Sequence, residues 1–257
     1  MSVYTTEIAS AVIASDNPIH QRLLKAYYLS RDYISGNVLE VGCGEGRGVE
    51  LIAPLAAAFT GIDKIAGVID KLKETYPSGD FRQMVIPPFS GLKDNSFDVV
   101  VSFQVIEHIK DDLGYLREIY RVLKPGGTAL ITTPNIAMSL SRNPWHIREY
   151  TASELAQLAG KVFENVEMKG ISGNETVMAY YLDNKKSVEK MMRWDVLDLQ
   201  YKLPACMLKV PYEILNRLNR DKLKTGNDAL VSQIHHSDYL LVEEGSHGLD
   251  LFCILKK

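Results

Sequence analysis

Cysteines are scarce in this sequence, and a secretory leader is not evident. Among 257 residues only three are cysteines, Cys43, Cys206 and Cys253, and they stand far apart without a CxxC pair or a Cys/His grouping. Neither a disulfide framework nor a structural zinc site is indicated, and the pattern favours a reducing, cytoplasmic location. Residues 1–19 contain no Lys or Arg and only a short apolar patch, so we expect no secretory signal.

The chain also lacks a long apolar run and an excess of charge of one sign. No stretch approaches the roughly 18 apolar residues of a membrane span. Basic residues number 29 against 32 acidic ones, which excludes the strongly basic footprint of a protein that mainly binds nucleic-acid backbone. We expect no nucleic-acid partner and no transmembrane segment, while peripheral membrane contact stays open. At 46% hydrophobic residues, the chain can bury a sizeable core.

From residue 37 onward, short apolar runs alternate with helical patterns. This alternation predicts a mostly parallel sheet whose strands are buried on both faces. We predict a Rossmann-like, doubly wound α/β fold with a seven-stranded sheet whose last strand is antiparallel. The predicted strands cover residues 37–42, 57–63, 81–86, 96–103, 128–134, 166–171 and 249–257.

The sequence divides into four predicted parts. Residues 1–36 form an N-terminal helical cap over the carboxyl edge of the sheet, and residues 37–183 form the core. Residues 184–236 are a helical insertion before the last strand, and residues 237–257 return to the core sheet. The insertion carries Trp194 and Leu197 on mixed faces and is interpreted as a lid, a dimer surface or a membrane contact. Acids among its basic residues favour an ordinary solvated face.

The most specific pattern is NVLEVGCGEGRG, residues 37–48, where an apolar strand runs into Gly42, Gly44 and Gly46. Glycines allow a tight strand-to-helix turn and a close approach of a ligand to the backbone. A dinucleotide fingerprint, GxGxxG, would need a glycine where Arg47 stands, so the spacing disfavours a nicotinamide dehydrogenase. The alternative, a tight turn without a ligand, is disfavoured by the acids at the ends of the first two strands, Glu40 and Asp63.

Two acids suggest what the glycine turn binds. Glu40 lies inside the end of the first strand, where its carboxylate can hold an ammonium group. Asp63 closes the second strand, where nucleotide folds of this topology grip a ribose diol. The predicted ligand is an amino-acid nucleoside. Asp63 taken alone is also compatible with an ordinary turn residue. A proline, Pro54, should shorten or kink the helix after the glycine turn.

These motifs, together with SFDVVVSFQVIEHI (96–109), EIYRVLKPGG (118–127) and ITTPN (131–135), resemble class I S-adenosylmethionine-dependent methyltransferases of the type-11 group over about residues 36–173. The resemblance implies S-adenosyl-L-methionine as cofactor and S-adenosyl-L-homocysteine as product. In that family the first acid and the glycine loop hold the methionine moiety, the second acid the ribose, and the region after the third strand the adenine. The implied cofactor-binding residues are Glu40, Gly42, Cys43, Gly44, Gly46, Asp63, Lys64, Met84, Val85, Phe103, Gln104 and Val105. Many relatives place an Asp after the third strand, but this sequence has QMVIPP, so backbone groups and apolar contacts should hold the adenine.

The chemical residues are expected after the fourth and fifth strands. His108 titrates near neutrality and is the first candidate for a general base. The alternative for its imidazole is a structural bond to backbone. His146 is the second candidate base, and Glu107 is interpreted as structural. No metal is predicted, because the remaining histidines, His235, His236 and His247, show no ligand spacing.

The acceptor site is expected at NPWHIREYT, residues 143–151, whose density of polar and aromatic side chains suits an oxygen-rich acceptor. Trp145, Arg148 and Tyr150 are the predicted substrate-binding residues, the alternative being a structured loop. The segment 143–151 resembles one found in methyltransferases associated with surface glycan and lipopolysaccharide biosynthesis. That resemblance implies O-methylation of a small hydroxylated or glycan-type acceptor by a monomer or homodimer. A quinone-like or natural-product hydroxyl, and a regulatory protein that binds the cofactor without turnover, remain as alternatives.

Overall fold

The computed structural model describes residues 13–195 and 198–257, so residues 1–12 of the expected N-terminal cap and Leu197 of the expected insertion lie outside the described residues. Within the described residues, eight strands form one sheet in the order β3-β2-β1-β4-β5-β8-β6-β7, with helices on both faces. The strands are β1 (Asn37–Val41), β2 (Ala58–Asp63), β3 (Asp80–Gln83), β4 (Phe97–Phe103), β5 (Leu123–Pro134), β6 (Asn165–Gly173), β7 (Tyr239–Val242) and β8 (Asp250–Lys256).

The sheet confirms the predicted fold class and corrects its strand number. Strands β1 to β5 pair in parallel, and β8 inserts antiparallel between β5 and β6. The prediction of seven strands was wrong, because β7 adds an eighth at the edge, where Tyr239 pairs with Gly173 and Val242 with Gly170. Strand β7 is only four residues long, and it pairs with a strand that is far from it in sequence, so no local pattern indicated it.

Helices fill the connections as the periodicity predicted, with one interruption. The helix after the glycine turn is a single turn, and a 3-10 turn containing Pro54 follows it, as expected from a proline that cannot continue a helix. The helices are α1 (Asn17–Ser30), α2 (Val49–Ile52), α3 (Ala66–Thr75), α4 (Asp112–Val122), α5 (Ala152–Ala159), α6 (Glu175–Met192), α7 (Leu199–Lys202), α8 (Ala205–Gly226) and α9 (Asp228–Gln233).

Alternate residues of the strands feed two apolar layers, one on each face of the sheet. On β1, Val38 packs into the layer with α1 and α3, while Leu39 packs into the layer with α4 and α5. Both side chains are fully buried, and burial of each contributes roughly 1.5 to 3 kcal/mol to stability. The strand order reverses between β1 and β4. Ligands of open α/β sheets bind outside the carboxyl ends of the strands at such a point.

The helical segment starts earlier than expected. Helix α6 begins at Glu175, directly after β6, and the side chain of Asn174 caps it by accepting from Val177 N at 3.1 Å. The predicted boundary at residue 184 therefore falls inside a helix. The division of the chain into domains stays a prediction. Among the described helices, none is both long and apolar enough to cross a membrane.

Candidate active site

A large cavity opens at the carboxyl ends of β1, β2, β4 and β5. Its volume is about 1210 Å³, above the roughly 300 to 1,000 Å³ of ordinary small-molecule pockets. The glycine turn and the ends of β2 and β3 line one end, and helices α1, α6 and α8 with residues 138–149 line the other. The cavity therefore has room for two molecules side by side.

The glycine turn contains three glycines with positive φ, Gly42, Gly44 and Gly46. Gly42 has φ of 74°, and a Cβ there would lie 2.4 Å from the side chain of Val105, so only glycine lets the turn approach β4 this closely. Gly44 has φ of 49°, and a Cβ there would meet nothing within 4 Å, because the position faces the open cavity. Gly46 instead packs against Leu72 and does not line the cavity.

Glu40 is buried behind the glycine turn with one oxygen engaged. The hydroxyl of Tyr27, on α1, donates to Oε1 at 2.7 Å, while Oε2 has no hydrogen-bond partner among the described residues. Burial raises the pKa of Glu40 to about 7, which the Tyr27 bond and the nearby Arg47 only partly offset. A buried carboxylate oxygen without a donor is costly, and an ammonium group would satisfy it. The residues present therefore fit the α-amino group of the expected cofactor.

Asp63 joins the ends of β1 and β2. Its carboxylate accepts from the backbone N–H of Gly44 at 3.0 Å and from that of Ile65 at 2.9 Å. Both Asp63 and Lys64 line the cavity on the same side as the glycine turn. This position, one strand away from Glu40, suits the diol of a ribose joined to the amino acid.

The expected adenine region is apolar, as the absence of an acid in QMVIPP suggested. Val85 is 74% exposed and lines the cavity with Ile65 and Ile86. Met84 lies behind them, buried, and its N–H donates to the carbonyl of Asp63. An exposed apolar wall of this kind suits the face of a purine.

The end of β4 supplies the wall between the two halves of the cavity. Gln104 and Val105 line it, and Gln104 holds φ of 58°, a strained value for a residue with a side chain. Phe103 does not line the cavity but packs edge-to-face on Tyr27 at 4.9 Å between ring centroids. Cys43 also lies outside the lining, and burial raises the pKa of its thiol, which keeps it neutral.

Both candidate bases line the cavity, next to each other. The rings of His108 and His146 meet edge to face at 5.1 Å between centroids. Nδ1 of His108 lies 3.0 Å from the carbonyl of Trp145, and since a carbonyl only accepts, the neutral ring carries its proton on Nδ1 and its lone pair on Nε2.

His146 is held on both sides. Its Nδ1 lies 2.6 Å from Oε1 of Glu149, and its Nε2 lies 2.8 Å from the amide nitrogen of Asn143. The carboxylate accepts and the amide donates, so the lone pair on Nε2 already receives a hydrogen bond. The other oxygen of Glu149 accepts from Ser139. The ring of His146 is thus held by two side chains, and that of His108 by a backbone carbonyl.

Glu107 completes a cluster with the two imidazoles, in which ligand-type atoms of all three residues lie within 4.8 Å of one another. Such a grouping can hold a metal ion, which the sequence did not indicate. Here Oε2 of Glu107 accepts from the hydroxyl of Thr133 at 2.9 Å, and its backbone carbonyl accepts from Ile147. These bonds, with those of the imidazoles, account for the arrangement without an ion, and the expected absence of a metal stays a prediction.

Only one of the three predicted acceptor-binding residues lines the cavity. Trp145 lines the cavity, and its Nε1 donates to Glu213 on α8 at 2.9 Å. Arg148 and Tyr150 lie outside the lining and instead both contact Asp112, at the start of α4, at 2.6 and 2.9 Å. The carboxylate of Asp112 thus draws these two side chains away from the cavity and into a structural contact.

Sequence reasoning missed the residues that the helices add to the acceptor end. These helices are far in sequence from the motifs at the strand ends, so no local motif marks their cavity-lining residues. One available signal was the polar face of α8, on which Lys209, Tyr212, Asn216 and Arg220 recur at helical spacing. The added lining residues include Arg22, Arg142, Tyr180, Tyr181, Asn184, Lys209, Tyr212, Asn216 and Arg220.

Two family models match the chain. Residues 39–131 match a family described as a methyltransferase domain, and residues 88–193 match the ubiE/COQ5 methyltransferase family. A relative from Mycolicibacterium smegmatis, named a probable S-adenosylmethionine-dependent methyltransferase, is 44% identical over 127 residues, 48% of this chain and 49% of that protein. A ubiquinone biosynthesis O-methyltransferase from Xanthomonas campestris is 32% identical over 114 residues, 42% of this chain and 48% of that protein. The chain spans about half the length of these curated relatives.

A solved structure shares the fold over nearly the whole chain. It is that of an S-adenosylmethionine-dependent methyltransferase from Thermotoga maritima, described as a possible histamine N-methyltransferase. The TM-score is 0.57, with 93% of this chain and 92% of that chain covered. Sequence identity is 15%, so this likeness concerns the fold alone.

Proposed function

We propose that this chain, whose core is an S-adenosylmethionine-dependent methyltransferase domain, transfers a methyl group to a hydroxyl of a small hydroxylated or glycan-type acceptor. S-adenosyl-L-methionine is the cofactor of that domain. The observation that carries the proposal is the continuity of the cavity, which runs from the glycine turn past His108 to a polar chamber under α8. Two molecules can meet there with a candidate base beside them.

In the cofactor half of the cavity, different residues would hold different parts of the cofactor. When bound, S-adenosyl-L-methionine supplies an electrophilic methyl group on a sulfonium. Oε2 of Glu40 would hold the ammonium group, and the carboxylate of Asp63 the ribose hydroxyls. The apolar wall around Val85 would cover the purine. Packing of α1 over Glu40 through Tyr27 excludes water from the carboxylate.

His108 would act on the acceptor. Its Nδ1–H is anchored on the carbonyl of Trp145, which orients Nε2 as the acceptor of a proton. A base of this kind removes the proton of the acceptor hydroxyl as the oxygen attacks, typically worth 10²- to 10⁴-fold in rate. Glu149 and Asn143 keep the neighbouring His146 ring in place, which supports a positioning role for it.

The lining of the acceptor half supports a hydroxylated molecule. It combines the aromatic rings of Tyr180, Tyr181 and Tyr212 with the amides of Asn184 and Asn216. Flat rings with hydrogen-bonding groups between them suit a sugar, which has apolar faces and a polar edge.

A second candidate is a quinone-like hydroxyl. The similarity to a ubiquinone biosynthesis O-methyltransferase, 32% identical over 114 residues, favours it. A third, cofactor binding without turnover, remains the alternative from a different class. Acceptor polarity separates the first two, and any methyl transfer excludes the third.

Methyl transfer from isotopically labelled S-adenosyl-L-methionine tests the proposal. The protein is incubated with a panel of nucleotide sugars and oligosaccharides and, in parallel, with catechols and short-chain quinols. Label on a sugar hydroxyl, lost in His108→Ala, would support the proposal. Label on quinols alone would select the second candidate, and binding of the cofactor with no transfer to any acceptor would leave the third.

A further inference from the structure

Helix α8 has its polar face inside and its apolar face outside. Lys209, Tyr212, Asn216 and Arg220 line the cavity, whereas the exposed side chains between Met207 and Leu218 are apolar. A surface helix of a globular protein has the reverse arrangement. The outward residues, here called the α8 outer face, are Met207, Val210, Pro211, Ile214, Leu215 and Leu218.

The α8 outer face is a continuous stripe. Met207, Val210, Ile214 and Leu218 follow at spacings of three or four, so they lie above one another along about 16 Å of helix. Val210 is 67% exposed and Leu218 60%. Single exposed apolar residues need no explanation, but a contiguous apolar stripe marks an interaction surface.

Positive charge stands at both ends of this stripe. Lys222 continues the spacing one turn beyond Leu218, and Lys202 precedes the helix on α7; both are exposed. The nearest acid, Asp221, is exposed beyond the end of the stripe, where its carboxylate accepts from the hydroxyl of Ser15 at 2.7 Å. The α8 outer face itself carries no acid.

We propose that the α8 outer face docks on a lipid surface that carries anionic headgroups. The charge pattern selects this occupant: apolar side chains enter the boundary of the acyl chains while Lys202 and Lys222 remain level with the headgroups. A second copy of the chain fits less well, because two such faces packed antiparallel would bring Lys202 of one copy toward Lys222 of the other. The proposal does not depend on which acceptor is methylated.

Docking in this way would place the cavity at the membrane. The same helix that offers its apolar side to the lipid covers the acceptor end with Lys209 and Asn216. Membrane contact would therefore be made by the same helix that covers the acceptor end of the cavity.

Co-sedimentation of the full chain with vesicles tests the proposal. Vesicles of phosphatidylcholine alone are compared with vesicles of phosphatidylcholine and phosphatidylglycerol in equal parts. We expect binding to the anionic vesicles, weakened by salt, and a partition coefficient reduced about tenfold or more in Ile214→Ser/Leu218→Ser. Lys202→Gln/Lys222→Gln should reduce binding to the anionic vesicles only.

The matched control is Leu55→Ser/Leu240→Ser, which removes two exposed leucines from other parts of the surface and should bind as the unaltered chain does. Thermal unfolding confirms that each variant folds. Absence of binding to anionic vesicles, equal binding to both kinds, or unchanged binding of Ile214→Ser/Leu218→Ser would overturn the proposal. A dimer in sedimentation velocity that this same variant dissociates would assign the face to a second copy instead.

Discussion

The hydroxyl of Tyr27 donates to Oε1 of Glu40 at 2.7 Å, which ties the N-terminal helix α1 to the strand that leads into the glycine turn. The bond fixes one carboxylate oxygen and leaves Oε2 as a buried acceptor without a partner among the described residues. The carboxyl of Glu40 is therefore buried with one oxygen bonded, and Tyr27 and the nearby Arg47 offset only part of the cost of its charge. An ammonium group at Oε2 would supply further compensation.

Cofactor binding should depend on pH because of Glu40. Its pKa is raised to about 7 by burial, and a bound ammonium group would lower it, so binding below pH 7 must release a proton. We expect the affinity for S-adenosyl-L-homocysteine to fall by up to roughly tenfold per unit as pH decreases from 7 to 5. Isothermal titration over this range measures it. Tyr27→Phe removes a bond that lowers this pKa, so the loss should begin at a higher pH. A flat profile for the unaltered protein would contradict the role of Glu40.

Stability of the ligand-free protein should change in the opposite sense. A carboxyl whose pKa is higher in the folded chain than in the unfolded one favours folding at low pH, and that contribution is lost as pH rises through 7. Glu40→Gln removes the charge, so its melting temperature relative to the unaltered protein should rise between pH 5 and pH 8. The same variant should bind the cofactor about tenfold or more weakly. Equal pH dependence of melting for both proteins would argue against this assignment.

Asp63→Ala should weaken binding of S-adenosyl-L-homocysteine. Charge-assisted hydrogen bonds are worth about 1.5 to 3 kcal/mol each, so we expect a loss of roughly ten- to a hundredfold. The variant also loses the bonds from Gly44 N and Ile65 N, so thermal unfolding is measured beside the titration. Asp70→Ala, an exposed acid on α3, is the control and should bind normally. Unchanged affinity in Asp63→Ala would remove this residue from the site.

His108→Ala should spare cofactor binding and slow methyl transfer by roughly a hundredfold or more. His146→Asn should have a smaller effect, because its Nε2 already accepts from Asn143. His247→Ala serves as the control for loss of an imidazole, because His247 is exposed and is far in sequence from His108. Single-turnover transfer to whichever acceptor is identified gives the rates. A full rate in His108→Ala would reduce this imidazole to a structural role.

Chelation tests whether Glu107, His108 and His146 hold a metal ion. Their side chains already form hydrogen bonds with Thr133, Trp145, Glu149 and Asn143, which account for their positions. We expect methyl transfer to be unchanged after dialysis against EDTA and unaffected by added Mg²⁺ or Zn²⁺. Loss of activity with EDTA, restored by one of these ions, would mean that the cluster is a metal centre.

The parts of the fold that sequence predicts are those set by local pattern. Buried parallel strands are near-continuous apolar runs, and the glycine turn needs φ values that Gly42 and Gly44 supply, so both could be recognised from the chain alone. Pro54, which shortens α2, acts within its own turn, so its effect could also be predicted from the sequence.

What the sequence could not predict depends on contacts between distant residues. Nothing in the pattern around Tyr27 indicates its bond to Glu40, and nothing around Arg148 indicates that Asp112 holds it outside the cavity. Strand β7 exists because β6 offers it an edge. The polar and apolar faces of α8 could be recognised from its residue spacing, but which face points to the cavity follows only from packing against α6 and α9.

The measurement that tests the central claim most directly is isothermal titration of the full chain with S-adenosyl-L-methionine, S-adenosyl-L-homocysteine and NAD in parallel. The account predicts that both adenosyl ligands bind with one site per chain and that NAD does not. Glu40→Gln and Asp63→Ala should each weaken the two adenosyl ligands together. Binding of NAD alone, or of none of the three, would contradict the assignment of Glu40, the glycine turn and Asp63 to the cofactor.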